Sequence, residues 1–337
     1  MLDGPRIRQT FAALLALTAL GLDGRGGVEP ARSVPARRDP DLSAQRDLCF
    51  PPAAATTAKA HRAPGVILWT DAPVDGRALV RHLAETERYL RQLVAASRPV
   101  TSSAPASSAP TTGPVERPVA VALYAARSDY DALWRRVGAH YAGRFGEIAT
   151  EGFSYRVFCA TYRGRAKEFT QRRSVLCHEF AHVWLFQRHG LSNDGNWLTE
   201  GLANAVQLHF FPAAGNRKDF ARWMEAGRML PLKRLMDLDR IAPKDYWQAA
   251  TLIETIARHH PGRLPAVIGA HNRGDSAYAI VRNVLGTDFL TLQDRWAKYV
   301  RTHPQRRPVR PDARAKSRTR RLTPADSKAK PHPKPPE

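Results

Sequence analysis

Apolar and polar positions divide the chain into two regimes. From Gly65 the run Val66-Ile67-Leu68-Trp69 predicts a short buried strand. After Pro73, Leu79, Leu83, Leu90, Leu93 and Val94 fall on one face of a helix. Val119 to Tyr124 (VAVALY) predicts a second strand, and Ser128 is positioned to cap a helix through Tyr130, Leu133 and Trp134. Residues 152–162, with Tyr155, Val157, Phe158 and Cys159, suit a third strand, and Arg156 breaks its apolar run as expected at a sheet edge. Beyond Arg172 the period becomes helical, with helices expected around 173–189, 199–210, 218–227, 246–259 and 289–300. In the last of these Phe289, Leu292, Trp296 and Tyr299 recur at three-and-four spacing, as core positions do. The fold class expected is α+β: a small N-terminal β/α sheet portion followed by a mainly helical portion.

Outside this region the pattern lapses. Arg6 and Arg8 precede an uncharged run from Thr10 to Leu22, with Ala19 and Gly21 at a spacing suited to cleavage, so residues 1–22 are expected to be a signal peptide. Such a run is too short to cross a hydrocarbon core of roughly 30 Å. Export to a periplasmic, cell-surface or extracellular location follows as the expectation. Residues 23–64, rich in Ala, Pro and Arg, read as a linker or loosely ordered arm, leaving 65–300 as the main domain. Residues 101–118 (TSSAPASSAPTTGPVERP) form a low-complexity loop within it.

Composition adds a question of charge. The 337 residues carry Lys+Arg 52 against Asp+Glu 31, a formal +21, while 43% apolar content excludes wholesale disorder. Residues 301–337 hold +9 of that charge with almost no large apolar residue, and are expected to form a disordered basic tail. An anionic envelope polymer is the partner such a tail suits; the lack of interleaved aromatic residues argues against nucleic acid. Three cysteines, Cys49, Cys159 and Cys177, allow one disulfide, with Cys49–Cys159 the pair to test first.

The chemistry is concentrated where the two regimes meet. In Ser174-Val175-Leu176-Cys177-His178-Glu179-Phe180-Ala181-His182, a helix puts His178 and His182 one turn apart on one face, able to close on a single zinc ion. A catalytic zinc keeps three protein ligands and an open position. Glu200, in Trp197-Leu198-Thr199-Glu200-Gly201-Leu202-Ala203-Asn204, is the candidate third ligand, on a second helix capped by Thr199 or Asn196. The metzincin pattern is excluded, because the required positions after His182 are Leu185 and Arg188, and His189 is one place off.

HEFAH followed by WLTEGLAN resembles the gluzincins, the thermolysin-like superfamily of zinc peptidases, and in particular its small secreted peptidase-MA-like domains. The match covers Ser174 to Asn204. It implies one zinc held by His178, His182 and Glu200, Glu179 as the catalytic carboxylate, hydrolysis of a peptide or protein substrate, and an edge strand, placed here at Tyr155 to Cys159, that pairs with extended substrate. One departure is Asn204, where thermolysin has an aspartate; an amide accepts a hydrogen bond without adding charge to a ligand histidine.

Zinc acidifies its water and polarises a carbonyl, and Glu179 takes the proton. A further donor to the oxyanion is expected in the downstream helices. Tyr246 is the candidate, set against simple packing of its ring, with His259 and His260 behind it. Two other functions remain open on the sequence: a catalytically silent zinc-binding or scaffold protein, and an anionic-polymer or nucleic-acid binder acting through its tail.

Overall fold

The computed structural model describes residues 42–51, 58–95, 117–140, 151–215 and 219–303. The expected signal peptide, the loop 101–118 apart from its last two residues, and the basic tail beyond residue 303 lie outside them.

Among the described residues a five-stranded mixed sheet is followed by helices, with a His/His/Glu cluster near the junction. The first elements are α1 (Leu42–Cys49), β1 (Lys59–Ala63), β2 (Val66–Thr70), α2 (Gly76–Ala95), β3 (Val119–Tyr124) and α3 (Arg127–His140). Then come the strands β4 (Gly152–Tyr155) and β5 (Phe158–Tyr162). The strand order is β1-β2-β3-β5-β4; β2, β3 and β5 run parallel, while β1 and β4 are antiparallel edges. Every residue of β2 and β3 is buried, the pattern of parallel strands covered on both faces.

Alternation decides what each face meets. Val66 and Leu68 of β2, Val119, Val121 and Leu123 of β3, and Cys159 of β5 join the larger core with α2 and the downstream helices. Ile67, Trp69, Ala120, Ala122, Phe158 and Ala160 point the other way, onto Tyr130, Leu133 and Val137 of α3 and onto Cys49 and Phe50.

Three expectations are corrected. Order begins before Gly65, since α1 and β1 fall within the supposed linker: Cys49 and Phe50 are buried, and Tyr124 Oη donates to the Cys49 carbonyl at 2.5 Å. Residues 152–162 are a hairpin rather than one strand, with Arg156 and Val157 in the turn, so the edge is Gly152–Tyr155 and β5 lies inside the sheet. The three cysteines are free and buried. Cys49 and Cys159 lie on opposite faces of the sheet, and a bridge between them would have to pass through its backbone.

The helical portion comprises α4 (Ala166–His189), α5 (Trp197–Phe210), α6 (Phe220–Glu225), α7 (Leu232–Asp237), α8 (Tyr246–His259), α9 (Leu264–Asn272) and α10 (Phe289–Thr302), with turns at Ala277–Ala279 and Ile280–Val284 before α10. In α4, Leu176, Cys177, Phe180, Ala181, Val183, Trp184 and Leu185 are all buried, as expected of a helix enclosed by sheet and neighbours. Gly201 explains how closely α5 meets α8: a β-carbon there would lie 2.9 Å from the Ala249 carbonyl oxygen and 3.0 Å from Ile253 Cγ1. No helix among the described residues is long and apolar enough to cross a membrane.

Candidate metal centre

Two helices bring the donors together. The i,i+4 spacing on α4 puts His178 and His182 on one face, and their Nε2 atoms lie 3.1 Å apart. Helix α5 starts where Asn196 Oδ1 accepts from the Leu198 and Thr199 amides at 3.0 and 3.1 Å, so Asn196, rather than Thr199, is the cap. Asn196 Nδ2 lies 3.1 Å from His271 Nε2 on α9. Burial lowers the His271 pKa, which favours the neutral ring that can accept from that amide. This cap fixes the first turn of α5, which carries Glu200 where a carboxylate also suits the helix dipole.

Glu200 Oε2 stands 3.1 Å from His178 Nε2 and 3.7 Å from His182 Nε2. Ligands bonded at ~2.0–2.1 Å around a tetrahedral ion are separated by about 3.3–3.4 Å. The three edges of the triangle, 3.1, 3.1 and 3.7 Å, bracket that value. Glu200 Oε2 is buried and close to His178 Nε2, yet has no hydrogen bond aligned on it. One potential ligand atom from each of the three side chains lies within 4.8 Å of the others, a grouping that a single cation can bridge. These side chains can hold a divalent metal ion, and among the described residues no other His, Cys, Asp or Glu joins the group.

The electrostatics agree. Burial alone would raise the Glu200 carboxyl, but the facing imidazoles, His182 first, hold it far below the usual carboxylate range. Burial alone would lower His178; contact with Glu200, the Glu200 charge and then the Glu179 charge raise it instead. A buried carboxylate held ionised against two imidazoles is a charge arrangement that a divalent cation could complete.

Two further side chains stand beside the group. Glu179 follows His178 on α4 and leans on the edge strand: a β-carbon at Gly152 would lie 3.1 Å from Glu179 Cγ, 2.7 Å from Val175 Cγ1 and 3.4 Å from the Ala160 carbonyl oxygen. Tyr246, the first residue of α8, lies nearly parallel to the His178 ring, at 11° with centroids 6.1 Å apart. Burial and then the Glu200 charge raise its phenol pKa, with Glu179 adding and Arg240 opposing, so the hydroxyl keeps its proton near neutrality.

His259 and His260 are not brought to the site. They terminate α8 at the end opposite Tyr246; His259 is exposed, while His260 is buried with Nε2 3.2 Å from Arg295 Nη1. Asn204 is buried one turn beyond Glu200. The sequence reading missed Gly152 and Arg240. An isolated glycine in a strand was the available signal for a close backbone approach at Gly152; Arg240 carries no local pattern. Neither a protein-family model nor a curated protein matches the chain.

Proposed function

We propose that the protein is an exported zinc-dependent peptidase of gluzincin type. The observation that carries this reading is the convergence of His178 Nε2, His182 Nε2 and Glu200 Oε2 at tetrahedral ligand spacing, with Glu179 and Tyr246 beside the same point. Zinc held by His178, His182 and Glu200 would supply a polarised substrate carbonyl and a water acidified toward ~7.

Glu179 is outside the ligand set and half-buried, which suits a carboxylate that accepts a proton from the attacking water and passes it to the leaving amine. Tyr246, kept protonated by its surroundings, donates to the carbonyl oxygen as negative charge develops there. Among the described residues β4 is a free edge of the sheet beside Glu179, and its main chain would hold an extended peptide by strand pairing. The assignment to gluzincins rests on HEFAH and WLTEGLAN, and the assignment to export on residues 1–22.

The deciding experiment compares wild type with Glu179→Ala in zinc content and in hydrolysis of a mixed peptide library. The variant is expected to keep about one zinc per chain and to lose nearly all cleavage, because the base is not a ligand. Unchanged cleavage would overturn the mechanism, and zinc uptake by the wild type without any hydrolysis would leave a silent scaffold.

A further inference from the structure

The opposite edge of the sheet carries a second feature, remote in the strand order from β4. An open groove of about 670 Å³ runs between β1 and the start of α2, lined by Lys59, His61, Arg62, Arg77, Val80 and Arg81 together with two β1 alanines. Lys59, Arg77 and Arg81 give it three permanent cations and its lining has no carboxylate; Arg62 borders it from β1, where alternation turns the side chain to the opposite face with Ile67. Among the described residues no ion pair engages Lys59, Arg62, Arg77 or Arg81. The other side of β1 pairs with β2 throughout, from Lys59 opposite Thr70 to Ala63 opposite Val66. Its outer row of main-chain N–H and C=O groups has no partner strand among the described residues.

The groove has a fixed floor. His61 packs over Gly76 so closely that a β-carbon there would lie 2.3 Å from the ring, which ties β1 to the first turn of α2. Charge on an edge strand is a common guard against unwanted pairing. Lys59 and Arg62 alone meet that need. Arg77 and Arg81 come from a different element and enlarge the positive field over the same edge, a field that attracts an anionic strand as strongly as it repels a basic one. They stand one helical turn apart, ~6 Å along the axis, close to the ~6.8 Å between alternate side chains of an added strand.

We propose that this groove docks an extended acidic segment of a partner protein, which adds as a strand to the free edge of β1 while its alternate carboxylates face Arg77 and Arg81. Main-chain pairing gives the segment its register, and the cations select its charge. The inference is independent of the chemistry assigned to the metal centre.

The test measures fluorescence anisotropy of a labelled, capped Glu-Val-Glu-Thr-Glu-Val-Glu peptide on the full chain. Two further probes accompany it: the same peptide N-methylated at alternate residues, and its Lys-for-Glu counterpart. Wild type is expected to bind the acidic peptide at least tenfold more tightly than either. R77E/R81E, and separately Lys59→Glu, are expected to weaken it about tenfold or more with an unchanged melting temperature, since all three side chains are exposed. Equal binding of the N-methylated peptide would overturn strand addition and leave a general polyanion surface. Wild-type affinity in both charge variants would place the binding elsewhere on this basic chain and equally overturn the proposal.

Discussion

Gly152 and Glu179 occupy one another's space: the carboxylate side chain passes where the strand residue has no β-carbon, and a methyl group there would meet Val175 Cγ1 at 2.7 Å and Glu179 Cγ at 3.1 Å. Both contacts are tight enough to move the neighbour. Gly152→Ala is therefore expected to shift Glu179 while leaving His178, His182 and Glu200 in place. Displacing a catalytic group by about 1 Å can cost on the order of 10²-fold in rate. Steady-state kinetics should show a loss of about 10–100-fold in kcat with near-wild-type zinc content, and an unaltered kcat would exclude this role for the contact.

Tyr246→Phe separates donor from packing. Phenylalanine keeps the ring beside His178 and removes only the hydroxyl held near Glu200. Loss of one donor to a developing oxyanion costs roughly 10²–10³-fold in kcat. The expected pattern is that fall in kcat with KM changed less than about threefold; an equal rise in KM with kcat preserved would assign the hydroxyl to ground-state binding.

The two elements that form the cluster were legible for different reasons. His178 and His182 follow from spacing on any helix, and the enclosing apolar run identified that helix as internal. Glu200 follows from its place just inside the next predicted helix, a carboxylate able to complete the site from the side, and the likeness of WLTEGLAN to a known motif adds to that reading. From sequence the hairpin at Arg156 and Val157 looks like one strand because both arms are short and largely apolar, and the turn lacks the Gly, Asn or Asp that usually marks one. Strand β1 (KAHRA) was missed because an edge strand with one half-buried face has little apolar contrast. The suggested Cys49–Cys159 pair failed on the parity of a strand: Phe158, Ala160 and Tyr162 face Cys49, and Cys159 faces away.

Gly201 offers a stability test next to the candidate ligand Glu200. In an isolated helix Gly→Ala gains roughly 0.5–1 kcal/mol from propensity. Here the new methyl would press at 2.9 Å on the Ala249 carbonyl, a backbone atom of α8 that cannot rotate away. Overpacking of this kind costs about 1–3 kcal/mol and outweighs the propensity gain. Urea unfolding should thus find Gly201→Ala destabilised, and Gly201→Val more so, with weakened zinc retention because α5 carries Glu200 and α8 carries Tyr246. A stabilised Gly201→Ala would mean that the two helices separate at little cost.

Acid stability is expected to depend on His82, on α2. Its Nε2 lies 3.3 Å from Cys177 Sγ, its ring meets Phe210 and Phe211 edge-on, and Nδ1 is 3.9 Å from the exposed Glu85 carboxylate. Burial, helped by the nearby charge of Arg173, lowers its pKa to about 4, and burial pushes the facing Cys177 thiol up to about 12. Both groups are therefore neutral across the physiological range. Because the unfolded chain protonates this histidine near 6.5 and the folded chain only near 4, the unfolded state binds the extra proton first as pH falls. The folded state loses stability from about pH 6.5 down to about pH 4 and levels off below that, the histidine accounting for about 3 kcal/mol at most. His82→Phe retains a ring against Phe210 and Phe211 and has nothing to protonate. Urea midpoints measured every half unit from pH 7.5 to pH 4 should fall less steeply for the variant than for wild type; parallel curves would show that the ring is solvated on protonation and that acid sensitivity arises elsewhere.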